Sequence, residues 1–253
     1  MRRVSIVCSV LVLLACALGC APKRKASSQK GALKPLTAPT WLASLPVAGF
    51  GEARAALPLL ATEPRPVLLA LHGGFDRPEW QCGSYRGITH GRSFILCPRG
   101  VPVTPQAFGL GSPDDSEREL RAAITGLKAR FGAHVASGPV VLSALGPSVE
   151  HALSLALKEP SFFSHLVLVN GSLSRLTPAF ATRFGASGGK RVLAVCSPGG
   201  CDADSDRRVS SLRPAGVEAR LVLAERGQGL DGDIAALLEK QWSWLVASEP
   251  RWK

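Results

Sequence analysis

The chain has 253 residues, 46% of them apolar, which bounds it to one large folded unit, or one unit plus a tail, rather than a disordered chain. Its formal net charge of +11 is unevenly placed: seven of the 30 basic residues and none of the 19 acidic ones fall in residues 1–40, leaving 23 basic against 19 acidic side chains in the rest. With no basic stripe interleaved with aromatics, this distribution argues against nucleic-acid binding.

The first twenty residues, MRRVSIVCSVLVLLACALGC, read as a secretion leader. Arg2 and Arg3 supply a positive start, Val4 to Leu18 an apolar run short for a membrane span, and small residues precede Cys20. The junction resembles a bacterial lipobox, which implies export, an envelope location and a lipid anchor on Cys20. Ala17-Leu18-Gly19-Cys20 lacks the leucine usual three residues before the cysteine, whereas Leu13-Leu14-Ala15-Cys16 has it, so Cys16 is the alternative. An ordinary cleaved leader, or an uncleaved anchor, is the plainer reading. Residues 21–40, rich in Lys, Ser, Ala and Pro, are expected to be a solvated tether, and residues 41–253 one domain.

From residue 66 onward short apolar runs alternate with helical patterns. PVLLALHGG (66–74) and FILCPRG (94–100) are predicted strands that end in glycine turns. The stretch between them, FDRPEWQC, is read as a surface loop or as a lid with Trp80 pinned by Cys82. SPDDSERELRAAITGLKARFG then predicts a helix with Ser112 as N-cap, acids in its first turn and Gly132 as its stop. PVVLSAL (139–145) is a strand followed by a helix to Leu157; HLVLVNG (165–171) and KRVLAVCS (190–197) continue the series. DADSDRRVSSLRPAG is predicted to be a helix, VEARLVLAE (217–225) the last strand, and DIAALLEKQWSWLVA (233–247) a closing helix. Alternation of this kind, with near-continuous apolar strands, predicts an α/β fold with a mostly parallel sheet covered on both faces. Ligands in such sheets bind beyond the carboxyl ends of the strands.

Four cysteines lie beyond the leader: Cys82, Cys97, Cys196 and Cys201. An even number in an exported chain favours disulfides. The SPGG between Cys196 and Cys201 is turn-forming, which pairs those two and leaves Cys82 with Cys97. Zinc competes for four cysteines, but no paired C-x-x-C is present. No metal and no cofactor is expected.

VVLSALGPSVEHALSLALKEP (140–160) has the outline of a strand, a sharp turn and a helix. It resembles the nucleophile elbow of the α/β-hydrolase superfamily, whose line runs G-x-S-x-G-G-x-x-A-x-x-x-A-x-x-x-P. Ala152, Ala156 and Pro160 match the helix half, and Val140, Val141 and Leu142 the strand half. Both halves place Gly146 where the serine belongs, flanked by Ala144 and Ser148. Ser148 is the alternative nucleophile, but that register puts Glu150 at a small position and breaks the alanine spacing; Ser143 has no small flank at all. In the resembling family a histidine follows the last strand, and here RGQGLDGD puts Gln228 at that place. A glutamine amide does not titrate near neutrality and cannot shuttle protons. The triad acid would fall in CDADSD, with Asp202 the choice over Asp204 and Asp206, although a solvated helix start explains all three. His90, His134, His151 and His165 lie in places that read as structural or exposed. His72-Gly73-Gly74, after the first predicted strand, resembles the oxyanion-side loop of esterases in this superfamily, which implies backbone N–H groups facing a ligand oxygen.

The resemblance, to carboxylesterases and dienelactone-type hydrolases, covers residues 64–247. It implies an α/β-hydrolase fold that has lost its serine and histidine, a non-catalytic envelope protein binding a small acyl, ester or glycan-like ligand or a protein partner. The alternative is a serine esterase acting through Ser148.

Overall fold

The computed structural model describes residues 32–252. The leader, Cys16, Cys20 and the first part of the tether lie outside the described residues. Among the described residues, no helix is long and apolar enough to cross a membrane.

Eight strands form one sheet: β1 (Leu42–Val47), β2 (Gly51–Ala56), β3 (Val67–Leu71), β4 (Phe94–Cys97), β7 (Val141–Leu145), β8 (His165–Val169), β9 (Arg191–Cys196) and β10 (Glu218–Leu223). Their spatial order is β1-β2-β4-β3-β7-β8-β9-β10, antiparallel across the first three and parallel from β4 onward. A two-residue pair, β5 (Val101–Pro102) with β6 (Phe108–Gly109), stands apart.

β3, β4, β7 and β8 are buried at every residue, because helices cover both faces. Successive side chains divide between two cores. Leu69 and Leu71 of β3, Leu142 of β7 and Leu168 of β8 pack against α2 (Pro113–Phe131), α3 (Ser148–Lys158) and α4 (Pro178–Ala186). Leu68 and Ala70, Val141, and Val167 pack on the other side against α1 (Pro78–Ile88) and α6 (Gly232–Leu245). On that side Tyr85 and Ser143 are both buried and hydrogen-bond to each other, which spares two hydroxyls an unpaired burial. Ser143 is therefore a core residue. Ser112 caps α2 by accepting from the Asp115 N–H at 3.1 Å, and Gly132 stops it at φ +49°.

Several expectations are corrected. The packed chain begins before residue 41, because Leu33 and Leu36 donate backbone hydrogen bonds to Thr62 and Ala61 and the Leu36 side chain is buried. The β1–β2 hairpin was not legible as strands: it is alanine-rich with a proline at Pro46, and pairing with β4 holds it in place. FDRPEWQC is neither a loop nor a simple lid, since Trp80 and Cys82 belong to α1. DADSDRRVSSLRPAG forms only the short α5 (Ser205–Ser210) and a 3-10 turn at Arg213–Ala215.

These four cysteines form two disulfides, Cys82–Cys97 with Cα atoms 6.0 Å apart and Cys196–Cys201 at 5.6 Å. The first ties α1 to the sheet beside it; the second closes the loop after β9.

Candidate functional site

A cleft of about 920 Å³ lies at the carboxyl ends of the parallel strands. Five of them contribute the loop that follows: Gly73–Asp76 after β3, Gly146–Pro147 after β7, Asn170 after β8, Ser197–Gly200 after β9 and Gln228–Asp231 after β10. Trp80 and Glu79, from the first turn of α1, complete one rim.

Gly146 occupies the tip of the turn between β7 and α3. Its φ is +60°, its N–H donates to the Val169 carbonyl at 2.8 Å, and among the described residues a Cβ built there would meet only the Asn170 carbonyl oxygen, at 3.8 Å. The backbone is thus left-handed at a strand-to-helix turn that opens onto the cleft, and no side chain projects from it. The turn is closely packed from outside: a Cβ on Gly171 would lie 2.3 Å from the Gly146 carbonyl oxygen.

Ser148 points elsewhere. It is fully buried, and its hydroxyl donates to the backbone carbonyl of His72. This bond ties the elbow helix to the loop after β3 and leaves the hydroxyl no access to a substrate.

The residue following the tip is Pro147. In hydrolases of this architecture the main oxyanion donor is the backbone N–H of the residue after the nucleophile, and proline has none. This feature went unread in the sequence, where the adjacent G-P dipeptide was its signal. In the loop after β3 the Gly73 N–H donates to the Asp76 carboxylate at 3.3 Å. That carboxylate also accepts from the Arg77 N–H at 2.7 Å and the Gln81 side-chain amide at 3.1 Å. Gly74 lines the cleft, with nothing within 4 Å of a Cβ placed on it.

His72 belongs to the loop but not to the cleft wall. Its ring is buried, with Nδ1 2.8 Å from the Gly73 carbonyl oxygen and Nε2 2.8 Å from that of Arg99. Glu119 lies buried nearby and accepts from the N–H groups of Arg99 and Gly100; burial pushes its carboxyl upward in pKa, and those two donors and the His72 charge oppose the push.

Gln228 lines the cleft, in the same wall as Gly146 and Gly73. Asp202 does not join it. Its carboxylate accepts from the Leu173 N–H at 2.7 Å and the Ser172 hydroxyl at 3.2 Å, bracing the loop after β8. The structure therefore brings Gly146, Gln228, Gly73 and Gly74 together and leaves Asp202, Ser148 and the His72 ring outside the cleft.

Asn170 also went unread. It stands at φ +46°, and its side chain joins three strand ends: Oδ1 accepts from the Ser197 N–H at 2.8 Å, while Nδ2 faces the carbonyls of Gly227 and Gln228 at 3.3 Å. The Asn-Gly pair after an apolar strand was its signal, since asparagine tolerates the left-handed region.

Strand order and helix placement define an α/β-hydrolase fold. Solved structures that it is similar to include an S-formylglutathione hydrolase from Agrobacterium tumefaciens (TM-score 0.57, 13% identity, covering 86% of this chain and 99% of that one). Est1E from Butyrivibrio proteoclasticus gives a TM-score of 0.58 at 11% identity, over 82% of this chain and 100% of that one. A dienelactone hydrolase from Anabaena variabilis gives 0.54 at 14% identity, over 85% and 98% respectively. At these identities the likeness carries the fold and nothing finer. Neither a family model nor a curated protein sequence matches the chain.

Proposed function

We propose that this chain is a pseudo-hydrolase: an exported, lipid-anchored envelope protein that keeps the α/β-hydrolase cleft for binding and performs no acyl transfer. The observation that carries the reading is the elbow tip, Gly146-Pro147, which offers neither a hydroxyl for attack nor an N–H for the oxyanion. Gln228, in place of a titratable base, and Asp202, committed to the neighbouring loop, support it. A serine esterase working through Ser148 would need a hydroxyl that is here buried and bonded to His72. Anchoring through Cys20, or Cys16, would hold the domain at a membrane surface, with the tether setting its reach.

A fluorophosphonate probe applied to the purified protein tests the reading. No labelling is expected; stoichiometric labelling of Ser148 would restore the esterase. Lipid labelling of a Cys20→Ser variant tests the anchor: loss is expected, and unchanged labelling would move the site to Cys16.

A further inference from the structure

Pro147 and Asp76 change what the cleft prefers as well as what it catalyses. A hydrolase cleft of this design favours a developing negative charge, through N–H donors and a helix start. Here one donor is removed by Pro147, and the Gly73 donor is turned onto the protein's own Asp76 carboxylate. Among the described residues the wall then carries three carboxylates, Asp76, Glu79 and Asp231, and no lysine, arginine or histidine, in a chain with net charge +11. These three are not equivalent. Glu79 is paired with Arg54 at 2.7 Å, and Asp76 is surrounded by amide donors. Asp231 precedes α6 without making a side-chain cap bond, and it has no ion pair among the described residues.

The same cleft exposes two aromatic rings, Phe75 at 69% and Trp80 at 60%. Phe75 stands at φ +56°, a region that bulky residues enter only at a cost of about 1 kcal/mol or more. Trp80 already accepts a cation within the protein, the Arg77 guanidinium carbon lying 5.6 Å from its ring centroid. Exposed rings lining the same cleft as an unpaired carboxylate favour organic cations over anions.

Resting on the reading of the cleft as a binding site, we propose that it takes a small organic cation, an ammonium or guanidinium group, held by Asp231 with Trp80 and Phe75 as its aromatic cover. Acyl and carboxylate ligands, which the ancestral design would favour, are disfavoured by the same wall.

Three probes of one shape and different charge test this: benzylammonium, benzyl alcohol and benzoate, titrated into the full chain and followed by amide and indole NMR shifts. Benzylammonium should give saturable shifts at the Trp80 indole and the Gly73 and Gly74 amides. It should bind about tenfold tighter than benzyl alcohol, the ratio that one exposed ion pair and a cation–π contact together supply, with benzoate weakest. Asp231→Asn keeps an equally good N-cap residue; it should weaken benzylammonium several-fold and leave benzyl alcohol unchanged, while Asp231→Glu retains the preference. The proposal is overturned by equal binding of benzyl alcohol, by tighter binding of benzoate, by shifts outside the cleft, by no saturable shift, or by an Asp231→Asn variant that binds as before. Fluorophosphonate labelling is independent of all these outcomes, so failure of the cation site and failure of the non-catalytic reading are separately visible.

Discussion

Replacing Gly146 by alanine, serine and asparagine in turn probes the elbow quantitatively. At φ +60° a residue with a Cβ bears backbone strain of about 1–2 kcal/mol. No steric term adds to it, because among the described residues the only atom near the added Cβ is the Asn170 carbonyl oxygen at 3.8 Å. In a domain of this size each kcal/mol lowers Tm by about 2–4 °C, so alanine and serine should each lower it by about 2–8 °C. Asparagine, which tolerates the left-handed region, should cost less. Gly171→Ala is the contrast: its Cβ would lie 2.3 Å from the Gly146 carbonyl oxygen and 2.5 Å from Val149 Cγ2, so the cost rises to about 3 kcal/mol or more. Thermal melts and urea titrations of the four variants give the order directly. If Gly146→Ser is as damaging as Gly171→Ala, or if asparagine is no better than alanine, then Gly146 is not an open left-handed tip and the reasoning about the elbow fails.

On the proposed reading of the cleft, Gly146→Ser with Gln228→His should stay near background on an activated ester, and adding Pro147→Ala should raise turnover by about 10²–10³-fold, the usual worth of one oxyanion donor; equal rates for double and triple variants would remove Pro147 from the argument. His165 is buried between Ser164 and Ser248, and burial lowers its pKa to about 4, with the Glu249 charge opposing. Its unfolded form binds the proton first, so its contribution is full above about pH 6.5 and falls by up to about 3 kcal/mol as pH drops toward 4; His165→Gln should flatten that part of the stability profile in urea titrations. Tyr85→Phe leaves the Ser143 hydroxyl buried and unpaired and should cost about 1–3 kcal/mol, much of it recovered by adding Ser143→Ala, which a double-mutant cycle measures. Thiol titration of the denatured, unreduced chain should find Cys82, Cys97, Cys196 and Cys201 unreactive, and removing Cys82–Cys97, with its separation of 15, should lower Tm more than removing Cys196–Cys201, with its separation of 5.

The central strands β3, β4, β7 and β8 were legible because burial on both faces leaves them almost no polar residue, as VLLAL and HLVLV show. α1 was not, because Gly83 and Gly87 weaken its helical signal while Tyr85 packing and the Cys82–Cys97 bond hold it in place. Propensity cannot see either constraint. Gly146 and Gln228 were singled out by their spacing to neighbouring elements, and both line the cleft. Pro147 matters through an N–H that it lacks, which carries meaning only once the turn is known to face a cleft. Asp231 and Asp202 show the converse. Both are acids near helix starts, and sequence position alone does not tell that one lines the cleft while the other braces a loop.

Asn170 has a mechanical consequence. Because one amide joins the ends of β8, β9 and β10, the loops at Ser197 and Gln228 cannot separate without breaking bonds to the same side chain. That half of the rim should therefore open as one cooperative unit, and the Ser197 N–H should exchange with solvent slowly for a loop amide. The opposite rim rides on α1, fastened to the sheet through Cys82–Cys97. With both sides fastened, the width of the opening is fixed before any ligand arrives, and admission to the cleft is decided by fit to a standing aperture rather than by closure around a guest.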